Sequence, residues 1–309
     1  MHAVNLQVAH GGSLELTEKS LANAGAAALA VVVGGGRGGV LRVEAPLAGL
    51  WMPLRGRLQF GLSTDSVLHT GELRVAEAEP RVHAVGRGNA LWIAVLGTGA
   101  AWRGALGALL EIPTPEPLLL PARHAADRAL RRSGVALARA AADGSSAAAV
   151  EVVIDRVLAL QQPFEDAIAR CPGRTYAQRR QVFVRLQRVR NYLAANCHLD
   201  IDNEALARMA SYSPWHFIRA FRAAYQETPH AYLVRQRLER ARRLLRASPL
   251  AIAEVALASG FENRCAFSRL FRQHFGTTAG AVRRGAAAPS LPVQARTSNA
   301  QSRQRGSPI

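Results

Sequence analysis

An imperfect internal repeat in the last third of the chain constrains the fold more than any other feature. The segment "SPWHFIRAFR" (213–222) matches "NRCAFSRLFR" (263–272), and upstream Ala207 matches Ala256. In each copy phenylalanines recur at helical spacing, which predicts a helix with aromatic residues buried and arginines exposed. Because a shorter helical pattern precedes each copy, the sequence predicts two helix-turn-helix units.

A single amphipathic segment separates the two copies. It is "PHAYLVRQRLERARRLLRA" (229–247), with apolar residues at helical spacing and arginines elsewhere. At about 1.5 Å per residue, such a helix would be about 28 Å long. Two helices about 34 Å apart, one turn of the duplex, can enter successive major grooves on one face of DNA. The segment is therefore predicted to be a rigid spacer between two DNA-contacting units.

Local signals mark where these helices begin. Ser213 followed by Pro214, and Thr228 followed by Pro229, are typical N-terminal caps with proline at the first helical position. Asn263 is an equally suitable cap for the second copy. These signals place the start of each helix to within a few residues.

The positive charge is concentrated in the same region. The chain carries a net charge of +17, and between Arg174 and Arg284 it has 20 arginines against seven acidic residues. A cationic surface of this kind binds polyanions. The charge therefore predicts nucleic acid as the partner, ahead of an anionic membrane surface.

Residues 173–285 resemble the DNA-binding domain of AraC/XylS-type transcriptional regulators. The resemblance is carried by "ALARMASYSPWHFIRAFRAAYQETPHAYLVRQRLERARRLL" and "IAEVALASGFENRCAFSRLFRQHFG", about a third of the chain. It implies a transcription factor whose partner is double-stranded DNA. It also implies a second copy of the chain in a homodimer, and RNA polymerase and a small-molecule effector as further partners.

The resemblance assigns DNA-binding positions to the two second helices. Base contacts fall on Trp215, Ile218 and Arg219 in the first unit, and on positions of the same kind in the second. The complete predicted set is Ser213, Trp215, His216, Ile218, Arg219, Arg222, Asn263, Arg264, Cys265, Ser268, Arg269 and Arg272. Arg219 and Arg269 suit bidentate contact with guanine, and Trp215 and Ile218 suit contact with a thymine methyl group.

Some of these positions have a second interpretation. Trp215 could pack in the core instead of facing DNA. Arg222 and Arg272 could be solvated charges instead of phosphate contacts. Both interpretations stay open at the level of the sequence.

The chain departs from the family pattern in a few places. Gln226 stands where the first unit usually ends in glycine, so we expect that helix to end in another way, whereas Gly276 suits the left-handed end of the second. Ala251 stands where a small capping residue is usual. Ala279 and Val282 stand where proline and tyrosine are favoured, which predicts a less firmly docked final helix.

The remaining regions complete an α+β architecture. Residues 1–122 contain short β-type runs separated by Gly, Pro and Asn, which favours a β-sandwich or barrel, and the resemblance implies a cupin-like sensor. Residues 123–172 predict a helical hairpin that links the domains and dimerises. Residues 286–309 have no periodicity and are predicted to be disordered.

The N-terminal region contains candidates for effector binding. Four aromatic residues either line an apolar pocket or form the core: Trp51, Phe60, Trp92 and Trp102. Three arginines could face an anionic effector: Arg55, Arg57 and Arg74.

The motifs of catalysis and metal binding are missing from this sequence. His10, His69, His83 and His124 form no HxH pair, and no GxSxG segment occurs. The segment "GGGRGG" (34–39) is followed by no GK[ST] and is predicted to be a hairpin turn. We therefore expect a protein that is not an enzyme and has no cofactor or metal. The segment "MHAVNLQVAHGG" has no signal-peptide pattern and the longest apolar stretch is too short to span a bilayer, so we also expect a cytoplasmic protein with no membrane partner. Two alternatives stay open: a non-specific nucleic-acid-binding protein, and a cupin-type enzyme fused to a DNA-binding module.

Overall fold

The protein combines an N-terminal β-sheet with a C-terminal helical domain. The computed structural model describes residues 2–22, 28–61, 67–79, 81–110 and 119–285, and the predicted disordered tail lies outside them. The chain divides into two compact units, Met1–Leu233 and Val234–Ile309. Each unit is built around its own apolar clusters and is described separately below.

The described part of unit 1 contains one nine-stranded sheet with the order β1-β3-β8-β5-β7-β9, to which β2, β4 and β6 add at the sides. The strands are β1 (Ala3–Val8), β2 (Ser13–Leu16), β3 (Leu29–Gly36), β4 (Val40–Val43), β5 (Leu47–Phe60), β6 (Val67–His69), β7 (Glu72–Glu79), β8 (Val82–Gly97) and β9 (Ala122–Ala125). The long strands β5 and β8 pair antiparallel along most of their length and form the centre of the sheet.

Both faces of this sheet are apolar. Successive residues of a strand point to opposite faces, so Trp51 belongs to one core cluster while its neighbours Leu50 and Met52 belong to the other. Apart from Leu21 and Ala45, which lies between β4 and β5, the cluster around Trp51 consists of strand residues, so the strands themselves largely enclose it. Helices cover the other face.

The described residues form twelve helices. They are α1 (Glu18–Ala22), α2 (Gly99–Leu110), α3 (Arg128–Ala142), α4 (Ala147–Gln161), α5 (Pro163–Arg170), α6 (Tyr176–Ala195), α7 (Asn203–Met209), α8 (Pro214–Tyr225), α9 (Pro229–Ala247), α10 (Ile252–Ala258), α11 (Arg264–Phe275) and α12 (Ala279–Arg283). Helices α2, α3 and α4 supply the apolar residues that pack on the second face of the sheet. The sequence prediction for α9, 229–247, matches its observed bounds.

The glycine-rich segment 34–39 does not form the predicted hairpin. Strands β3 and β4 both pair antiparallel with β8, at 90–96 and 82–85 respectively. The chain therefore continues in one direction along β8, and Gly36 and Gly38 take positive φ angles of 84° and 72° where it is interrupted. Glycine tolerates this conformation because it has no Cβ. The glycine-rich sequence alone could not show whether the chain reverses its direction at this segment or only interrupts a strand that continues in the same direction.

Two further apolar clusters organise the C-terminal helices. In unit 1, residues of α5, α6, α7, α8 and the start of α9 pack together with Leu120. In unit 2, residues from the rest of α9, from α10, from α11 and from α12 form a separate core. Ala279 and Val282 of α12 are buried in that core, so the final helix packs against it, and its weaker docking stays a prediction.

Candidate nucleic-acid interface

The turns that join α7 to α8 and α10 to α11 have the same backbone geometry. The Tyr212 N–H donates to the Ala207 carbonyl at 2.9 Å, and the Phe261 N–H donates to the Ala256 carbonyl at 3.0 Å. The preceding turn residue is left-handed in both copies, with φ 58° at Ser211 and 88° at Gly260. The sequence repeat therefore corresponds to a structural repeat of short helix, tight turn and longer helix.

Both longer helices begin at the predicted caps, but the two caps differ. The Asn263 side chain accepts hydrogen bonds from the N–H groups of Cys265 and Ala266 at 2.8 and 3.0 Å. Ser213 occupies the cap position of α8 without accepting such a bond. Its hydroxyl lies 2.7 Å from Nδ1 of His216 instead. The prediction that Asn263 caps its helix is therefore confirmed, whereas the prediction that the Ser213 side chain caps α8 is wrong.

The two helices also end in the same way, which the sequence did not predict. Gly276 is left-handed with φ 68°, and Gln226 takes the same conformation with φ 58°. The Gln226 N–H donates to the Arg222 carbonyl at 2.9 Å, as the Gly276 N–H does to Arg272. The expectation of a different ending at Gln226 is wrong, because this exposed glutamine adopts the left-handed conformation that glycine usually supplies, and its Nε2 donates to the Ala223 carbonyl at 2.9 Å.

Ala251 has no side-chain acceptor, and the start of α10 is capped from within the helix. The Glu254 carboxylate accepts a hydrogen bond from the Ala251 N–H at 2.6 Å. A carboxylate in the first turn of a helix is also favoured by the helix dipole. The missing capping residue is thus compensated.

The aromatic stripes of both helices are buried as predicted. Phe217 and Phe221 of α8 are fully buried, and so are Phe267 and Phe271 of α11. Successive rings of α11 contact one another, with Phe271 and Phe275 centroids 4.6 Å apart. This stripe fixes the rotation of each helix about its axis, and so decides which residues face solvent.

All twelve residues of the predicted DNA-binding set are exposed to solvent. Trp215 is 59% exposed, an unusual position for a large aromatic side chain, and Ile218 is 36% exposed. The interpretation of Trp215 as a core residue is therefore wrong. Exposure of the arginines leaves their guanidinium groups available to a polyanion, but it does not separate base contacts from phosphate contacts.

The exposed side chains of α8 are ordered by contacts among themselves. The Arg219 guanidinium lies over the Trp215 ring, 4.3 Å from its centroid. The Trp215 and His216 rings pack edge to face at 5.0 Å. A cation held on an aromatic face loses little further freedom when it binds a ligand. The geometry therefore presents Arg219 as a preoriented donor.

Helix α6, which the sequence analysis did not single out, supports the first of these helices. The Arg190 guanidinium lies between two aromatic rings, 4.8 Å from the centroid of Tyr225 and 5.0 Å from that of Tyr232. Burial raises the pKa of Tyr225, so its hydroxyl stays protonated and can donate. The spacing of aromatic residues and arginines in 176–195 was the only sequence signal for this role. The residues that Arg190 contacts lie too far along the chain for that spacing to identify them.

The N-terminal candidates divide into core and surface. Trp51, Trp92 and Trp102 are buried in the core, so they line no open pocket. Phe60 and Arg74 border an open cleft of about 560 Å³. Arg74 lies 4.6 Å over the Phe60 ring and pairs with Glu79.

The other residues of the cleft and the other predicted arginines add little to an effector site. The remaining lining residues are Arg42, Glu44, Gly61, Glu79, Arg81, Val82 and His83. Arg55 donates to Asn89, and Arg57 is exposed outside the cleft. Among the described residues, no three His, Cys, Asp or Glu side chains are grouped so that they could hold a metal ion. Within the same part of the chain, no helix is long and apolar enough to span a membrane.

Comparison with known proteins places this chain in a family. A family model described as a helix-turn-helix domain matches residues 206–285. The chain is 32% identical over 89 residues to the probable transcription factor PqrA of Proteus vulgaris, and the match covers 29% of this chain and 73% of PqrA. The chain belongs to the AraC/XylS family of transcriptional regulators.

Other known proteins match a similar share of this chain. The HTH-type transcriptional regulator GlxA of Rhizobium meliloti (strain 1021) is 44% identical over 85 residues, which are 27% of this chain and 26% of GlxA. The chain thus spans only about a quarter of the length of GlxA. A crystal structure of a probable AraC family transcriptional regulator from Rhodopseudomonas palustris CGA009 is 30% identical, covering 33% of this chain and 95% of that one, with a TM-score of 0.32.

Proposed function

We propose that this protein is a sequence-specific DNA-binding transcriptional regulator with two helix-turn-helix units. In each unit the second helix, α8 or α11, enters a major groove of the same duplex. The observation that carries the proposal is the matched pair of helices, each with a buried phenylalanine stripe and an exposed face rich in arginine. Membership of the AraC/XylS family supports the same conclusion.

The proposed roles follow from chemistry. Arg219 and Arg269 donate to guanine O6 and N7, and Trp215 and Ile218 contact thymine methyl groups. Arg222 lies one turn further along its helix and contacts phosphate, as Arg272 does in the second copy. The other exposed residues of the predicted set complete the two surfaces: Ser213, His216, Asn263, Arg264, Cys265 and Ser268.

The rest of the chain has an assigned place in this proposal. The N-terminal sheet is a cupin-like sensor for a small-molecule effector, and its cleft beside Arg74 is the candidate entry point. Residues 123–172 form the hairpin through which a homodimer assembles. The protein acts in the cytoplasm, has no catalytic activity, and meets RNA polymerase at its promoters.

Selection of bound duplexes from a random library, followed by footprinting, tests the proposal. The expected result is one protected site with two contacted segments about one helical turn, roughly 10 base pairs, apart. Arg219→Ala should weaken binding to that site more than to scrambled DNA. Arg103→Ala removes an exposed arginine of α2 and serves as the matched control.

The outcomes separate the alternatives. Equal affinity for every duplex at moderate salt would identify a non-specific nucleic-acid-binding protein. Stoichiometric metal in the purified protein, together with turnover of a substrate, would identify an enzyme fused to a DNA-binding module.

A further inference from the structure

Two buried glutamines lie between the N-terminal sheet and the first helix-turn-helix unit. Few polar side chains are buried in the described part of the chain, and Gln161 (7% exposed) and Gln187 (1% exposed) are the only amides among them. A buried amide lowers stability unless its hydrogen bonds are satisfied, and when satisfied it fixes orientation. The position of these residues therefore indicates an interface with a defined geometry.

Gln187 of α6 is bonded on both sides. Its Oε1 accepts a hydrogen bond from the Tyr225 hydroxyl at 2.8 Å, and Tyr225 is the last residue of α8. Its Nε2 donates to Oδ1 of Asn191 at 3.1 Å. The side chain thus joins the end of α8 to the next turn of α6.

Asn191 extends this path to the sheet. Its Nδ2 donates to the Pro121 carbonyl at 3.0 Å. Pro121 directly precedes β9, which pairs with β7 in the sheet. Leu120, one residue earlier, is held by Gln161, which accepts from its N–H at 2.9 Å and donates to its carbonyl at 2.7 Å.

Two arginine contacts run beside this path. Arg170 of α5 donates to the Ala224 carbonyl, near the end of α8, at 3.0 and 3.3 Å. Arg188 of α6 pairs with Glu77 of β7 at 2.6 Å. The Arg188 pair is largely exposed and contributes little, whereas the amide path is partly buried and centred on the buried Gln187.

We propose that Gln187 and Asn191 are positioning residues that fix α8 to the N-terminal sheet, so that the state of the sheet sets the orientation of α8. The path runs Tyr225, Gln187, Asn191, Pro121 and then β9. This inference rests on the proposed DNA-binding role of α8, and it describes how the N-terminal sheet would regulate DNA binding by that helix. A change in the sheet that moves Pro121 breaks the partly buried hydrogen bond from Asn191, and α8 then becomes less well held.

Three variants of the full chain test the proposal by hydrogen exchange without DNA. Asn191→Ala removes both bonds of the side chain. Asn191→Asp keeps an acceptor for Gln187 and removes the donor to Pro121. Asn196→Ala is the matched control, because its Nδ2 donates only within its own helix, to Tyr192.

The two Asn191 variants should exchange the amides of α8 about tenfold faster than wild type, with the central strands unchanged. The control should leave α8 as in wild type. Wild-type exchange of α8 in Asn191→Asp would overturn the proposal, since it would limit Asn191 to packing within α6. Uniform acceleration across the whole unit would also overturn it, because the role would then be general stability.

A DNA titration of the same variants separates this inference from the proposed function. Wild-type affinity and specificity measured on the selected duplex test the function. If the hydrogen-bonded path positions α8, both Asn191 variants should bind the selected duplex about threefold more weakly or worse. If wild type binds no duplex specifically while α8 still loosens in the variants, the function fails and the positioning role stands.

Discussion

The guanidinium of Arg219 rests 4.3 Å above the ring of Trp215, one turn earlier on the same exposed helix face. A positive charge on the face of an indole ring is attracted by the electrons of the ring, and this contact contributes about 0.5–1 kcal/mol at an exposed site. Both side chains point away from the core. The pair therefore forms one preoriented surface element, which we propose acts as a unit in DNA recognition.

Arg219→Ala should weaken the binding free energy for the selected duplex by about 1–3 kcal/mol, because the proposed bidentate contact to guanine is lost. Trp215→Ala should weaken binding by less, and the double variant should lose less than the sum. Fluorescence anisotropy on selected and scrambled duplexes measures all four proteins. An equal loss on both duplexes would make Arg219 a phosphate contact.

Arg222→Ala and Arg272→Ala should weaken binding to every duplex alike. Each removes one proposed phosphate contact, so the slope of log affinity against log salt should fall by about 0.9 per substitution. Titrations at several salt concentrations give the slope, and Arg103→Ala is the control. An unchanged slope would show that these arginines are solvated charges.

Phe271→Ala should destabilise the second unit by about 3–5 kcal/mol, because it leaves a cavity among the contacting rings of α11. Ser268→Ala on the exposed face of the same helix should change stability by no more than about 0.5 kcal/mol. Denaturant unfolding followed by circular dichroism measures both. Similar losses in the two variants would contradict the assignment of the buried face.

Gln226→Gly should stabilise the protein by about 1 kcal/mol, because glycine adopts the left-handed conformation without steric cost. The reciprocal change, Gly276→Ala, should destabilise it by about the same amount. Thermal and denaturant unfolding of the pair test the prediction. A loss of stability in Gln226→Gly would mean that the bond from Gln226 Nε2 to the Ala223 carbonyl outweighs the backbone strain.

Acid should destabilise the interface between the sheet and α4 through His124. Burial, with a smaller contribution from Arg190, lowers its pKa from 6.5 to about 4. The unfolded chain therefore binds more protons between those values, and stability falls as the pH drops from 6.5 to 4, by roughly 1–3 kcal/mol. Neutral His124 can accept from the Gln161 amide, 3.4 Å away, whereas its protonated form cannot.

A comparison of wild type with His124→Gln at a series of pH values isolates this effect. The difference in unfolding free energy should change across pH 4 to 6.5 and level off above it. A constant difference would show that His124 has the same pKa in the folded and unfolded chains.

The sequence alone determined the features that depend on neighbouring residues. The spacing of phenylalanines decided which face of α8 and of α11 is buried, and the caps at Thr228 and Asn263 decided where their helices begin. These signals are local, since a helix brings together residues three or four apart. The repetition of the phenylalanine pattern after fifty residues predicted a second helix-turn-helix unit.

Tertiary structure alone decided the features that depend on distant partners. The burial of Trp51 and the interrupted strand at Gly36 each reflect contacts with residues remote in the chain. The path from Tyr225 to Gln187 and from Asn191 to Pro121 joins residues 38 and 70 positions apart. No local pattern specifies such pairs, because their members come within hydrogen-bonding distance only in the folded chain.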